Sequence, residues 1–229
     1  MEENDSVFEK VREIVVPGEF LGKDMNNGPW TYRIGNEIYS MRLGIKSVRG
    51  KGVGVVPLAG KYIPKVGDLV IGIVSDITPN LWYIDINSFN PATLHVADVP
   101  WRVDFGFTGK YMNIGDSCLA KVKAVDETKI ALLTMNDKGL KKLSRGEVVE
   151  ISATKVPRLI GRGGSMINMI KEYTKCRILV GQNGRVWIEG DLENMAMAIQ
   201  AIKLVEEKSH LIGLTEIVKD MLENAKRGE

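Results

Sequence analysis

Four residues, Gly161-Arg162-Gly163-Gly164, carry the clearest chemistry in this 229-residue chain. Glycines let one backbone approach another closely and adopt positive φ. Set before a helix, such a loop turns the unpaired N–H groups of the first helical turn outward, where they suit a phosphate. The surroundings fit that ligand. From Lys155 to Arg185 the chain carries Lys155, Arg158, Arg162, Lys171, Lys175, Arg177 and Arg185 against a single acid, Glu172. A solvated face usually mixes signs, so seven cations to one anion is a local excess. It stands in a nearly neutral chain, 31 − 29 = +2, whose bulk charge alone does not call for nucleic acid. No GxxxxGK[ST] is present, which excludes a Walker phosphate loop. Taken alone, a Gly-x-x-Gly is equally a tight turn between helices.

Tyr83 is the second candidate. Trp82, Ile84 and Ile86 share one face of a predicted strand, while Tyr83 and Asp85 share the other. In a small barrel the three apolar residues claim the core and Tyr83 is left outside. There it is either a surface phenol or a base-stacking platform, worth about 1–3 kcal/mol per base. The two histidines, His95 and His210, are far apart and lack the Ser/His/Asp or carboxylate spacing of a hydrolytic centre. Asp98, Asp104 and Asp116 are scattered through loops and strand starts and read as turn residues rather than Mg²⁺ ligands. Cys118 and Cys176 have no metal-ligand spacing and read as two reduced thiols packed as small apolar residues. No catalytic residue, metal or cofactor is expected.

These residues need a multidomain scaffold, and the length suits two or three domains. Residues 13–75 predict β structure, with Val/Ile/Tyr-rich runs at Ile14–Val16, Trp30–Ile34, Glu37–Leu43, Val53–Pro57 and Leu69–Val74 broken by Gly, Pro and Asn. A small sandwich or barrel fits that punctuation. From Pro64-Lys65-Val66-Gly67-Asp68 a second unit begins. Its predicted strands are Val70–Asp76, Trp82–Ile86, a run before Asp98, Ser117–Val125 and Lys129–Met135, with a long loop over 99–113. Five strands in about 70 residues match an OB-type barrel. After Asn136–Arg145 the order becomes strand (Glu147–Ala153), helical turn (Arg158–Ile160), helix capped by Ser165, strands Cys176–Val180 and Arg185–Glu189 joined by a Gly-Gln-Asn-Gly turn, and a helix from Leu192 capped by Asp191. A last helix is predicted over Thr215–Ala225. The acidic start, Met-Glu-Glu-Asn-Asp-Ser, is unlike a secretory signal and the apolar runs are too short to span a membrane, so a cytoplasmic location is expected.

The β-α-α-β-β-α order and Ile160-Gly161-Arg162-Gly163-Gly164 resemble a type I KH domain, a family that clamps about four nucleotides of single-stranded nucleic acid beside this loop. The resemblance implies RNA contacts from Ile160 to Gly164 and from Lys155, Arg158 and Arg177. Residues 65–137 resemble an S1 domain throughout, in Val66-Gly67-Asp68, Tyr83-Ile84-Asp85, Leu94-His95-Val96-Ala97-Asp98, Ile114-Gly115-Asp116 and Lys121–Asp126. That family's RNA-facing positions fall on Tyr83, His95, Asp126 and Lys129. One departure is Asn80, where the family often has a second aromatic.

The whole order closely resembles the RNA-binding cap subunit of the archaeal exosome. It comprises a Val-Val-Pro-Gly β-domain over 1–63, an S1 domain over 64–137 and a KH domain with a C-terminal helix over 138–229. The resemblance implies a mainly β plus α+β protein with no catalytic domain of its own. It further implies single-stranded RNA as ligand and three copies on a hexameric ring of RNase PH-like subunits, with the 3′ end guided inward for 3′-to-5′ degradation. Arg42, Lys46, Arg49, Lys51 and Lys61 lie in the acid-free stretch from Ile38 to Gly67, and contact with either RNA or an acidic protein surface remains open there. The alternative function is a general RNA-binding factor in translation or ribosome assembly. A polynucleotide phosphorylase is disfavoured, since its KH and S1 modules come in the reverse order behind large catalytic domains.

Overall fold

The structure, a computed structural model, describes residues 13–58, 60–209, 211 and 213–227. The acidic first residues and His210 lie outside them. The chain divides into two compact units, residues 1–60 and 61–229.

Among its described residues the first unit has seven short strands: β1 (Ile14–Val15), β2 (Phe20–Lys23), β3 (Asn26–Asn27), β4 (Thr31–Ile34), β5 (Glu37–Ser40), β6 (Gly44–Arg49) and β7 (Gly52–Pro57). They form two sheets, in the orders β1-β6-β7-β3 and β2-β5-β4. Each of the hairpins β4–β5 and β6–β7 turns on two residues whose first is a positive-φ glycine, Gly35 and Gly50. That is the pattern of type II′ turns, which match strand twist. Val15, Leu21, Ile38, Val53 and Val55 fill the core, with Met25 and Trp30 against it. Three of these strands, β2, β3 and β6, were not expected, and β5 stops at Ser40 rather than Leu43. The Ser40 hydroxyl donates to the Arg42 carbonyl at 2.6 Å and turns the chain there. Gly44 reads as a breaker in sequence. In the sheet it is a packing residue, because a Cβ there would stand 2.4 Å from Val55 Cγ1 and Val56 O.

The second unit opens with a closed barrel: β8 (Leu69–Ile77), β9 (Leu81–Asp85), β10 (Ala92–His95), β11 (Ser117–Val125) and β12 (Ala131–Thr134). The order β12-β10-β9-β8-β11 closes through β11–β12, and β13 (Lys141–Leu143) adds to the free edge of β11. Alternation decides the faces. Val70, Trp82, Ile84, Leu94, Val122 and Leu133 are buried inside, and the Trp82 indole N–H donates to the Met112 carbonyl at 3.2 Å. Burial pushes the Cys118 thiol up to about 12, so it stays a protonated, inert core residue.

The remainder is β14 (Glu147–Glu150), α1 (Val156–Ile160), α2 (Ser165–Thr174), β15 (Arg177–Val180), β16 (Arg185–Glu189), α3 (Leu192–Glu207) and α4 (Leu214–Arg227). The sheet order is β14-β16-β15, all antiparallel. The helices share one core with it, around Leu159, Ile170, Ile178, Ile188 and Ile202. Helix α4 buries Leu214, Val218 and Leu222, a stripe of three residues spaced four apart, on that core. Ser165 is not the cap of α2. The N-cap is Gly164 in the left-handed region, with no side-chain hydrogen bond. Asp191 does stand at the N-cap of α3, but its carboxylate makes no cap bond either.

Barrel and α/β layer are joined by the turn between β15 and β16. The strand β9 ends opposite Ile73, leaving Leu69–Ile71 of β8 without a partner on that side. The buried Asn183 fills the gap with its side-chain amide. Its Oδ1 accepts from Ile71 N–H at 3.2 Å, and its Nδ2 donates to the carbonyls of Ile71 (2.8 Å) and Ile86 (3.1 Å). Gln182 N–H donates to the Leu69 carbonyl at 2.7 Å. The flanking glycines are required by proximity: a Cβ at Gly181 would lie 2.9 Å from Ile71 N, and one at Gly184 2.3 Å from the Ile151 carbonyl. Beside the turn, Arg185 is buried and donates to the Asp85 carboxylate at 2.6 Å and the Glu150 carboxylate at 2.8 Å. Ile71, Leu119, Leu143 and Trp187 close the seam with apolar contact.

Candidate nucleic-acid interface

On the barrel's outer face the pairing registers set Tyr83, Thr93 and Leu132 abreast across β9, β10 and β12. Tyr83 is half-buried and Leu132 exposed, so a ring face and an apolar side chain flank a hydroxyl. His95 lies one step along β10 from Thr93 on the same face, opposite Leu81. Its Nδ1 accepts from Ala97 N–H at 3.1 Å, which fixes the ring and leaves Nε2 toward solvent. Asp126 and Lys129 sit together at the other end, in the β11–β12 turn. Asp126 accepts from the Thr128 hydroxyl at 2.7 Å and from Ile130 N–H at 2.8 Å. The Thr128 bond, then the Ile130 bond, hold its carboxyl below the usual range. Lys129 occupies a left-handed position with φ 66°. Asp126 therefore shapes the turn, and the exposed Lys129 ammonium is the group the turn presents.

In the α/β layer, Gly161 ends α1 with its N–H on the Pro157 carbonyl at 3.1 Å. A Cβ there would stand 2.8 Å from Met166 N, so this glycine brings α1 and α2 together. Gly163 and Gly164 take φ 59° and 82°, and a Cβ on Gly163 would meet nothing within 4 Å. The loop's outer half is thus open. A concavity of about 370 Å³ lies on the loop's Gly161–Arg162 side, lined by Pro157, Arg158, Gly161, Arg162, Ser165, Met166 and Thr215. Helix α2 has no side-chain cap, and its first residues Ser165 and Met166 line this opening, so its uncapped N-terminal end lies beside it.

The predicted cations do not form one cluster. Arg158 and Arg162 share the concavity, but the Arg158 guanidinium also donates to the Leu211 carbonyl at 2.7 Å. Ile160 is half-buried and packs on the helix core rather than facing outward. Lys155 ends the 3₁₀ turn before α1 and is not part of the concavity's wall. Arg177 lies elsewhere, exposed, 3.5 Å from Glu189, in a separate groove with Lys141 and Lys171. Arg185, one of the seven cations in the run, is withdrawn altogether into the seam between the two layers. The sequence reading missed Thr93 and Leu132 beside Tyr83; the signal available was the period-2 alternation of those two strands. Among the described residues no three His, Cys, Asp or Glu side chains gather where they could hold a metal ion, and no helix is long and apolar enough to cross a membrane.

Comparison with known proteins follows the same three regions. Residues 12–59 match the model of the exosome RNA binding protein RRP4 N-terminal domain, residues 61–106 that of the RRP4 S1 domain, and residues 146–204 that of the KH domain. The exosome complex component Rrp4 of Thermoplasma acidophilum is 46% identical over 219 residues, covering 94% of this chain and 92% of the relative. That of Picrophilus torridus is 43% identical, covering 96% of each, and that of Thermococcus kodakarensis is 46% identical, covering 94% and 87%. A crystal structure described as an exosome complex RNA-binding protein superposes with a TM-score of 0.68 at 38% identity, covering 73% of this chain and 98% of the other. With two-fifths or more of its residues shared across nearly its whole length, this chain belongs to the Rrp4 family of exosome complex components.

Proposed function

We propose that this chain is the non-catalytic RNA-binding subunit that caps an exosome's phosphorolytic ring and guides the 3′ end of single-stranded RNA inward for 3′-to-5′ degradation. The observation that carries the reading is full-length kinship to archaeal exosome components in all three regions. The site geometry supports it. Tyr83 and His95 share a barrel face of the kind single strands stack on, with the Lys129 turn at its other end, and Gly161 and Arg162 line a concavity suited to a phosphate beside the open Gly163.

In this reading residues 1–63 dock on RNase PH-like ring subunits, 64–137 surround the entrance, and 138–229 hold RNA outside it, with three copies per hexamer in the cytoplasm. The docking assignment is supported by apolar surface in the first unit. Phe20, Tyr39 and Tyr32 lie directly opposite one another on β2, β5 and β4 as a ladder, Phe20 edge-on to Tyr39 and the two tyrosines stacked. Phe20, Ile34, Ile14 and Val56 are all exposed, an unusual amount of outward apolar surface for so small a unit.

The test is co-purification of the tagged full chain with the ring subunits, followed by RNA decay assays. Ring capture, faster decay of RNA by the capped ring, and no decay by the chain alone are expected. Salt-sensitive RNA binding without ring capture would instead identify a general RNA-binding factor. Decay by the purified chain, free of ring subunits, would overturn the non-catalytic assignment.

A further inference from the structure

The barrel face has one aromatic where RNA-binding barrels of this type often have two, because position 80 is Asn. The loop between β10 and β11 approaches that very position. Gly106 N–H donates to the Pro79 carbonyl at 3.0 Å, and the buried Thr108 donates its hydroxyl to the Thr78 carbonyl at 2.7 Å. On the other side of the same turn, Val96 N–H donates to the Asn80 carbonyl at 3.1 Å, next to His95. The loop carries Phe105 and Phe107, whose relative exposures are 80% and 61%.

We propose that Phe105 and Phe107 are stacking platforms for bases of single-stranded RNA, replacing the ring absent at Asn80 and extending the track that runs from Tyr83 past His95. The inference rests on the RNA-binding reading above. Three observations support it. The loop is held rather than loose: Trp101 and Tyr111 stack with centroids 6.1 Å apart and planes 11° from parallel, and the Tyr111 hydroxyl donates to the Arg102 carbonyl at 2.6 Å. Apolar rings on a braced loop that still point outward are preorganised for a ligand. Around the rings, residues 99–113 carry Arg102 and Lys110 against Asp104, which Arg102 approaches at 3.8 Å, while Asp98 and Asp116 at the loop's two ends are paired with Lys123 and Lys142. Finally, the rings are separated by Gly106 at φ 84° and flanked by polar residues. That arrangement suits separate bases better than the continuous apolar patch of a protein interface.

The test measures binding of a labelled single-stranded oligoadenylate to the full chain by fluorescence anisotropy at fixed salt. It compares the native chain with F105A/F107A, F105L/F107L and F105W/F107W. Both rings are exposed, so all variants are expected to melt with the native chain. Alanine and leucine pairs are expected to lose roughly tenfold in affinity or more, tryptophan to retain it, and the salt slope to stay constant because no phosphate contact is removed. Leucine binding as well as phenylalanine would overturn the proposal, since apolarity without a π-face would then suffice. Native affinity in the alanine pair, with or without loss of ring capture, would also overturn it while leaving RNA binding by the chain intact. No binding by the native chain would defeat the RNA-binding reading itself.

Discussion

At the scale of single residues, the three glycines of the loop have different duties, and substitutions should separate them. Gly163 and Gly164 both need left-handed backbone; a Cβ on the first meets nothing, and one on the second lies 3.3 Å from the Asn168 amide nitrogen, the end of a side chain that must shift slightly. Asp and Asn both tolerate that backbone at a cost of about 1 kcal/mol. G163D/G164D is therefore expected to bind single-stranded RNA at least tenfold more weakly, and G163N/G164N much closer to native, because only the first repels phosphate. Equal losses in the two would assign the effect to backbone shape. Gly161→Ala should instead lower the melting temperature, since its Cβ strikes Met166. On the barrel, Tyr83→Ala is expected to reduce RNA binding by about 1–3 kcal/mol, with Tyr83→Phe near native; unchanged affinity in the alanine variant would make Tyr83 a surface phenol. The position of Tyr83 on the face was legible because strand alternation is strict. The fate of Arg185 was not: seven cations in a run look alike in one dimension, and only the fold shows that one of them is buried between two carboxylates.

At the scale of elements, the β15–β16 turn is read in sequence as a hairpin connection, which it is, and nothing local reveals its second duty. Asn183 bonds to residues 112 and 97 positions away, and no periodicity reports such distances. The strand ends erred for a related reason. Where β9 stops at Asp85 the sheet edge of β8 is completed by a side chain, not by another strand. Asn183→Ala would strand the Ile71 N–H and two carbonyls in a dry seam. A loss of about 2–4 kcal/mol is expected, seen as a fall in melting temperature of about 2–4 °C per kcal/mol, and Asn183→Asp should be similarly damaging because it cannot donate. Asp85 makes this seam acid-sensitive. Burial, the largest single influence, raises its pKa. The Arg185 hydrogen bond, the Asn87 N–H and the Arg185 and Lys61 charges together outweigh it and leave the pKa below the ordinary carboxylate value. A depressed folded-state pKa gives stability that is complete above the unfolded value of about 3.9 and is lost as pH falls through the folded one. Wild type should therefore lose more melting temperature below about pH 4 than Asp85→Asn does; parallel acid limbs would remove Asp85 from the account.

At the scale of the whole molecule, the order of a β-rich unit, a barrel and an α/β layer was readable because runs of strand pattern alone give way after residues 136–145 to strands interleaved with helical runs. Which surfaces serve which partner was less readable, since exposed apolar residues look like core residues until the sheets are folded. Ile34 appears in sequence as an ordinary strand residue and Phe20 falls outside the expected strands; in the structure both are exposed, on β4 and β2. A division of labour follows that one pair of measurements can check. F20E/I34E changes no buried side chain, so the chain should fold and keep its RNA affinity while losing capture by the ring subunits. Tyr83→Ala should do the reverse, keeping ring capture and losing RNA. For single strands the logarithm of affinity falls with that of salt by about 0.7 per phosphate neutralised. F20E/I34E is expected to leave that slope unchanged, and loss of ring capture with an altered slope would mean that one surface serves both partners.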